Sequence, residues 1–233
     1  MVVLGNAFDV LKHMPKDAVD MVITDPPYGL TRLEWDSGVD INVLVPELVR
    51  VSKGAVVITT KEPFTSDVVQ AGRRWFKHDV IWEKSNVTRF LDAKRRVLSA
   101  HENILVFYKR RPTYNPQFTW GRPYRCHQGS STQIYRDMRT VLTVSDGRRY
   151  PRSVLRISSK DSVKKYMPTQ KPAALFEGFV LTFTNEGDLV FDPFLGSGTT
   201  AVVCKRLNRR CFGVEIDRDR YDYAVRRVNE GRG

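Results

Sequence analysis

Residues 188–200 read DLVFDPFLGSGTT, and this stretch decides the fold. Asp188–Phe191 is a short apolar run that predicts a buried strand. Gly196 and Gly198 follow, and glycines let a backbone turn sharply and approach a ligand. Gly198–Leu207 predicts a helix, whose first N–H groups can hold an anion such as a carboxylate. The stretch lacks the Gly-Lys-Ser/Thr ending of a P-loop and the third glycine of a dinucleotide fingerprint. It therefore indicates a ligand-binding turn that is neither a P-loop nor a dinucleotide-binding turn.

Strands and helices alternate along the rest of the chain. Strands are predicted at Met1–Leu4, Asp20–Thr24, Gly54–Thr60, Asp79–Trp82, Asn103–Tyr108, Asp188–Phe191 and Cys211–Val214. Helices are predicted at Val39–Val51, Pro63–Arg74, Pro172–Thr184, Gly198–Leu207 and Arg218–Val228. Such alternation is typical of βαβ units, so we expect an α/β fold with a mainly parallel, doubly wound sheet.

A second motif, Asp25-Pro26-Pro27-Tyr28, directly follows a predicted strand. The carboxyl ends of strands are where α/β sheets bind ligands, and the prolines stiffen the backbone there. Asp25 and the carbonyl of Pro26 could each accept one N–H of an exocyclic amine, while Tyr28 stacks on the base. Two acceptors would pull the nitrogen toward a tetrahedral shape and free its lone pair for attack. An ordinary strand-ending turn is the alternative.

Glu215 follows the last predicted strand and lies 19 residues after Gly196. This is near the spacing at which an acid binds ribose hydroxyls in nucleotide folds. The pair therefore favours a nucleoside-containing cofactor over a tight turn followed by a surface acid.

These motifs, in this order, resemble the S-adenosylmethionine-dependent amino-group DNA methyltransferases of the β class. In that class the Asp-Pro-Pro-Tyr motif comes first, the target-recognition region follows, and the glycine-rich loop comes last. Further matches lie at Trp82–Lys84, His101–Phe107 and Pro168–Pro172. The resemblance covers nearly the whole chain and is greatest to short bacterial and phage members. It implies a circularly permuted Rossmann-like fold with an antiparallel strand pair and a basic insert.

The resemblance also implies roles for individual residues. Asp25, Pro26, Pro27 and Tyr28 would form the target-base site. The expected cofactor contacts are Asn6, Ala7, Asp25, Thr169, Lys171, Asp192, Phe194, Gly196, Ser197, Gly198, Thr199, Glu215 and Ile216. Two positions depart from the family pattern, which often has an acid in place of Asn6 and a histidine in place of Met167. Asn6 can still hydrogen-bond to an adenine edge.

The net charge of +12 is concentrated in one part of the chain. Residues 109–165 hold 14 basic and three acidic residues, with six aromatic residues among positions 114–150. Arginine and aromatic side chains together favour nucleic-acid contact over a solvated or disordered basic loop. We therefore expect a single methyltransferase domain, residues 1–233, with an inserted DNA-recognition region at 110–165. The predicted DNA contacts, which include the loop Ser85–Arg96, are Arg89, Lys94, Arg122, Arg125, Arg136, Arg139, Arg148, Arg149 and Arg152.

Several other classes of protein are disfavoured. No apolar stretch approaches the ~18 residues of a membrane span, and the first residues do not form a signal peptide. Three cysteines without a Cys-x-x-Cys pair, and four scattered histidines, indicate neither a disulfide framework nor a metal site. No Pro-Cys pair is present, so the thiolate chemistry of C5-cytosine methylation is disfavoured. We expect a bacterial or phage-encoded protein in a reducing cytoplasm.

The sequence thus predicts a site-specific DNA methyltransferase that acts on double-stranded DNA. We expect the target base to flip out of the duplex and adenine N6 to attack the methyl group in line. N4-cytosine methylation is the nearest alternative, and RNA adenine methylation or a catalytically silent DNA-binding protein are further ones. The sequence leaves open a homodimer and a cognate restriction endonuclease as partners.

Overall fold

A computed structural model describes residues 1–29, 39–128, 141–159, 167 and 170–230. The chain divides into two compact units. The larger unit contains Met1–Asn115 and Ser153–Gly233, and the smaller unit contains Pro116–Arg152. The smaller unit lies within the region 110–165, where the sequence predicts an insert.

Six α-helices are present in the described part of the larger unit. They are α1 (Ala7–His13), α2 (Ile41–Val51), α3 (Phe64–Gly72), α4 (Ala173–Phe183), α5 (Thr199–Arg206) and α6 (Arg218–Glu230). Five of them overlap the predicted helices, and α1 was not predicted. With seven residues, α1 is too short for a periodic pattern, and its start depends on the side chain of Asn6, which accepts a hydrogen bond from the N–H of Phe8 at 2.8 Å.

Twelve strands are assigned to the described residues. They are β1 (Val2–Leu4), β2 (Met21–Thr24), β3 (Val56–Thr60), β4 (Phe76–Thr88), β5 (Ser99–Phe107), β6 (Thr119–Trp120), β7 (Tyr124–Gln128), β8 (Val141–Ser145), β9 (Arg148–Arg149), β10 (Val154–Ile157), β11 (Leu189–Asp192) and β12 (Arg210–Glu215). Eight of them form one sheet in the order β1-β12-β11-β2-β3-β5-β4-β10. All neighbours in it are parallel except β5, which is antiparallel to β3 and to β4.

The sheet is covered on both faces. On β2, Val22 packs into a core shared with α1, α2 and α3, whereas Met21 and Ile23 pack into a second core with α4 and α5. All four residues of β2 are buried, as is typical of a central parallel strand. The predicted mainly parallel, doubly wound sheet with an antiparallel pair is therefore confirmed. Among the residues that the structure describes, every helix is too short or too polar to traverse a bilayer.

The prediction for the segment Ser85–Arg96 was wrong in part. Its first four residues continue β4, which pairs with β5 as far as Thr88 opposite Ser99, and Phe90–Asp92 forms a short 3-10 helix. The ladder hydrogen bonds extend the strand beyond its apolar part. Trp82 is the one residue of β4 in the buried core, and polar residues stand on both sides of the apolar run Val80–Trp82, so the sequence pattern indicated only a short part of this strand.

In the described part of the smaller unit, two antiparallel strand pairs are present, β6 with β9 and β7 with β8. Its aromatic side chains pack locally: the rings of Phe118 and Tyr150 lie 5.0 Å apart at 63°. Arg149 stacks over the ring of Tyr124 at 4.7 Å. Arginine and aromatic side chains thus support each other inside this unit.

Candidate active site

One cavity of about 670 Å³ opens where β2, β11 and β12 end. Because these strands are parallel, their carboxyl ends meet at one edge of the sheet, where α/β folds bind ligands. Predicted site residues that line it are Asn6, Ala7, Asp25, Pro26, Pro27, Tyr28, Lys171, Asp192, Phe194, Gly196, Ser197, Thr199, Glu215 and Ile216. Gly198 does not line the cavity, and Thr169 lies outside the described residues.

The glycine-rich turn between β11 and α5 contains two left-handed residues. Gly196 has φ +56° and Gly198 has φ +83°, a region that favours glycine. A Cβ on Gly198 would lie 3.0 Å from the Cβ of Ala224 in α6. Gly198 therefore permits close packing of α5 and α6, while Gly196 forms part of the cavity wall.

Glu215 is held against this turn by two backbone donors. Its Oε2 accepts a hydrogen bond from the N–H of Gly196 at 2.8 Å, and its Oε1 accepts one from the N–H of Asp217 at 2.9 Å. The residue is only 5% exposed but lines the cavity. A carboxylate has about four acceptor positions, so two remain for a pair of hydroxyl groups.

Sequence reasoning missed the buried Arg227 of α6. Its Nη1 donates to the carbonyl oxygen of Ser197 at 3.2 Å and to the hydroxyl of Thr199 at 3.1 Å. These contacts orient the polar groups of the turn from behind. The available signal was its position three residues after the buried Ala224, on the inner face of an otherwise charged helix.

Asp192 lies under the same cavity and is 2% exposed. Its Oδ1 accepts hydrogen bonds from the hydroxyl of Thr24 at 2.8 Å and from the N–H of Phe194 at 3.1 Å. Its Oδ2 accepts one from the hydroxyl of Thr200 at 2.5 Å. Burial outweighs these donors and raises the pKa of Asp192 to about 7. The side chain ties together the ends of β2, β11 and α5.

Asp25 lies at the centre of a polar cluster. Its Oδ1 accepts hydrogen bonds from the hydroxyls of Tyr28 at 2.7 Å and Thr59 at 2.5 Å. Its Oδ2 accepts one from the ammonium group of Lys171 at 2.8 Å. The sequence did not indicate Thr59, which comes from the neighbouring strand β3. Three donors hold the Asp25 carboxylate in one orientation and leave it about one free acceptor position.

Lys171 joins Asp25 to a second, more buried ion pair. Its Nζ lies 3.2 Å from Oε2 of Glu102, and Lys84 donates to Oε1 of Glu102 at 3.1 Å. Burial acts to raise the pKa of Glu102, but the two ammonium groups outweigh it and lower that pKa. Burial also opposes the charge of Lys171, yet Asp25, Tyr28 and Glu102 raise its pKa well above the ordinary value. The four side chains form a chain of alternating charge that runs from the cavity into β4 and β5.

The ring of Tyr28 is positioned from several sides. It stacks on the ring of Phe64 at 5.3 Å and 27°, and the Nζ of Lys171 lies 5.3 Å from its centroid. Burial and the nearby charge of Asp25 raise the pKa of Tyr28 well above its usual value. The phenol therefore stays protonated and donates to Asp25.

The two positions that depart from the family pattern both lie on the cavity. Asn6 caps α1 through its side-chain oxygen, so its amide group remains to face a ligand. The Cε of Met167 lies 3.6 Å from the place where a Cβ on Gly196 would stand. Met167 thus adds an apolar, polarisable contact beside the glycine turn.

The predicted DNA contacts differ in their surroundings. In the smaller unit, Arg122, Arg125 and Arg152 are exposed, whereas Arg149 donates to the carbonyl oxygen of Arg122 at 2.6 Å and to Ser145 at 2.6 Å. Arg149 is therefore engaged within its own unit.

Arg148 is paired with Asp146 at 3.0 Å. In the larger unit, Lys94 is exposed and Arg89 has φ +69°. Arg136 and Arg139 lie outside the described residues. Within the described ranges, no group of three or more His, Cys, Asp or Glu residues is arranged to hold a metal ion.

Comparison with known proteins gives a consistent result. A family model described as DNA methylase, N6_N4_Mtase, matches residues 19–226. The chain is 28% identical to the type II methyltransferase M.HpaI of Haemophilus parainfluenzae, across 97% of this chain and 73% of the relative. It is 29% identical to the type II methyltransferase M.HinfI of Haemophilus influenzae, across 97% of this chain and 67% of the relative.

Two solved structures extend the comparison. The crystal structure of an M1.HpyAVI–SAM complex matches with a TM-score of 0.69 and 25% identity, over 98% of both chains. PvuII DNA methyltransferase, described as cytosine-N4-specific, matches with a TM-score of 0.69 and 19% identity, over 96% of this chain and 84% of that chain. At that identity the second match shows the fold alone.

Proposed function

Because the chain belongs to the DNA methylase family whose model spans residues 19–226, we propose that it methylates the N6 amino group of adenine in DNA, with S-adenosylmethionine as methyl donor. One observation carries the proposal. The fixed carboxylate of Asp25 and the carboxylate of Glu215 face the same cavity, at the ends of the two strands that flank β11. A site that holds an amine at one end and hydroxyl groups at the other suits a base and a nucleoside-containing methyl donor.

The residues of the cavity fit S-adenosylmethionine. A volume of about 670 Å³ lies in the range of small-molecule sites, which is roughly 300–1,000 Å³. Glu215 keeps free acceptor positions for the ribose hydroxyls, and Asn6 presents an amide to the adenine edge. The sulfonium of the bound donor makes its methyl group electrophilic. Gly196 and Ser197 provide the close-approach wall for the methionine end.

Asp25 then acts on the amino group of the target base. Its remaining acceptor position accepts one N–H, and the carbonyl oxygen of Pro26 accepts the other. These contacts strengthen as the nitrogen becomes tetrahedral, so they stabilise the transition state more than the bound base. The ammonium of Lys171 supplies a counter-ion at 2.8 Å and keeps Asp25 in place. The hydroxyl of Tyr28 holds Asp25, while its ring, backed by Phe64, lines the cavity for contact with the base.

In the class of enzymes that this sequence resembles, the first residue of the motif mostly follows the target base. An Asp-Pro-Pro-Tyr motif favours adenine N6, and a Ser-Pro-Pro-Tyr motif would favour N4 of cytosine. N4-cytosine is the second candidate, because the matching family model, N6_N4_Mtase, covers both kinds of amino-group methylase. The type II relatives further support a restriction-modification setting with a cognate endonuclease.

Single-molecule sequencing of DNA from a methylation-deficient bacterium that expresses the chain tests the function. We expect N6-methyladenine at one sequence context and none with Asp25→Ala. Detection of N4-methylcytosine instead would show that the target base is cytosine and not adenine. Unmodified DNA in both strains would contradict the proposal, and purified protein assayed on RNA and DNA would then separate RNA methylation from a silent DNA-binding protein.

A titration of S-adenosylmethionine with purified protein tests the cofactor site separately. Glu215→Ala should weaken binding at least tenfold, because two ribose hydroxyls lose a charged acceptor. Ile216→Ala, also on the cavity wall but apolar, serves as a matched control with a smaller effect. An unaltered dissociation constant for Glu215→Ala would remove Glu215 from the site.

A further inference from the structure

The turn between β4 and β5 exposes two large apolar side chains side by side. Phe90 is 72% exposed and Leu91 is 88% exposed, and both lie in the 3-10 helix Phe90–Asp92. Single exposed apolar residues are common, but an adjacent pair on a tight turn forms a patch of the kind that marks an interaction site. Val97, at the other end of the same turn, is also 88% exposed.

The same turn is strongly basic. Between Ser85 and Leu98 the basic residues are Arg89, Lys94, Arg95 and Arg96, and the one acid is Asp92. Exposed apolar side chains surrounded by basic residues require a partner that is polyanionic and also has an apolar surface to bury them. Duplex DNA meets both requirements where a base step is opened, because the phosphates surround an apolar stack.

The position of the turn brings it to the edge of the sheet that carries Asp25. Strands β3 and β4 are both antiparallel to β5, so they run in the same direction and end at the same edge. Lys61, directly after β3, contacts the hydroxyl of Thr88 at the end of β4 at 3.5 Å. Lys84, further back on β4, belongs to the ion-pair chain that reaches Asp25.

The exposed tip lies beyond the regular pairing of the two strands. Five steps along β4, from Glu83 to Thr88, lie opposite only two steps along β5, from His101 to Ser99, so β4 bulges where it leaves the sheet. The 3-10 helix Phe90–Asp92 follows directly after this bulge, so its exposed side chains lie past the edge of the sheet.

We propose that Phe90 and Leu91 enter the base stack next to the target base and fill the space that it leaves when it turns into the cavity. The inference rests on the proposed function, since it requires a base to be extruded from duplex DNA. Extrusion costs the unstacking and unpairing of one base. Two apolar side chains inserted in its place restore contact with the neighbouring bases and lower that cost.

The test compares a paired target with one that is already unpaired. The double variant Phe90→Ala, Leu91→Ala is assayed on a duplex carrying the site found by sequencing, and on the same duplex with an abasic position opposite the target base. We expect the ratio of kcat/KM on the paired duplex to that on the abasic duplex to fall at least tenfold. A fluorescent analogue of the target base should brighten on binding of the wild-type protein and stay quenched with the variant.

Controls separate this inference from its premise. Val154→Ala removes a half-exposed apolar side chain from β10, outside the turn, and should keep the wild-type ratio. An unchanged ratio in the double variant, or an equal loss on both duplexes, would overturn the inference while leaving the methyltransferase function intact. A change of oligomeric state in the variant would assign the patch to contact between copies and also overturn it. No activity of the wild-type protein on either duplex would overturn the proposed function and this inference together.

Discussion

The buried carboxyl group of Asp192 makes the stability of the fold depend on pH. Its pKa is raised from 3.8 to about 7 by burial. Between these values the folded state holds a proton that the unfolded state has lost, so the free energy of unfolding falls as the pH rises. Stability from this group is therefore greatest below pH ~4 and is lost by about pH 7.

The magnitude follows from the size of the shift. A shift from 3.8 to about 7 corresponds to about 4 kcal/mol in total, at about 1.4 kcal/mol per pH unit. Between pH 5 and pH 8 the loss amounts to about 2.5 kcal/mol. Asp192→Asn removes the titration but keeps an acceptor for Thr24 and Phe194, while the hydroxyl of Thr200 can turn to accept from the new amide.

Urea unfolding of the wild-type protein and Asp192→Asn at pH 5, 6, 7 and 8, without cofactor, measures the effect. We expect the difference in free energy of unfolding, variant minus wild type, to rise by about 2.5 kcal/mol from pH 5 to pH 8. A pH-independent effect of the substitution on stability would not alter this rise. Asp67→Asn, an exposed carboxyl on α3, controls for loss of a carboxyl as such. A difference between Asp192→Asn and wild type that stays constant within about 0.5 kcal/mol across this range would refute the reasoning.

Three further predictions concern the ion-pair chain, the glycine turn and the smaller unit. Glu102→Gln leaves two buried ammonium groups without their shared carboxylate. Steady-state kinetics should therefore show a lower kcat with little change in KM for the methyl donor, and thermal unfolding should show a lower melting temperature. An unchanged kcat would mean that the ion-pair chain does not support Asp25. Gly198→Ala places a Cβ 3.0 Å from Ala224 at φ +83°, and thermal unfolding should show a loss of about 1–3 kcal/mol. Gly178→Ala is the control: it lies inside α4, where a Cβ meets nothing within 4 Å, so it should leave stability unchanged or raise it by up to about 1 kcal/mol. Three exposed arginines of the smaller unit should bind DNA phosphates through their guanidinium groups. Replacing these arginines by serine should make the plot of log binding constant against log salt concentration less steep, by up to about 0.9 in slope for each phosphate that is no longer neutralised. These groups are those of Arg122, Arg125 and Arg152. A slope identical to that of the wild type would show that the smaller unit does not grip the phosphates.

The sheet could be predicted because its inner strands have a distinctive composition. β2, β3 and β11 are short buried runs rich in β-branched and aromatic residues, and β2 and β11 lead directly into the two motifs of the site. That composition is typical of a parallel strand covered on both faces. The length of β4 could not be predicted, because only one of its thirteen residues belongs to the buried core and ladder hydrogen bonds extend the strand beyond it.

The ends of the parallel strands explain why part of the candidate site could be predicted. Asp25, Asp192 and Glu215 each follow or end a strand, and parallel strands bring such residues to one edge whatever their separation in the chain. The supporting residues follow no such rule. Thr59 is one of two adjacent threonines at the end of β3, and nothing in its neighbourhood singles it out. Arg227 lies in a helix with many charged residues, and its burial depends on how α6 packs.

Local patterns in the sequence therefore determined the strand–helix alternation, the family and the set of chemically important residues at the strand ends. Only the tertiary structure decided which other side chains hold these strand-end residues in place. Asp25 forms an ion pair with Lys171, which lies 146 positions later in the chain, and Lys171 forms a second ion pair with Glu102 of β5. Such pairs depend on sheet order and on the desolvation of charge, and these are properties of the packed chain rather than of any segment within it.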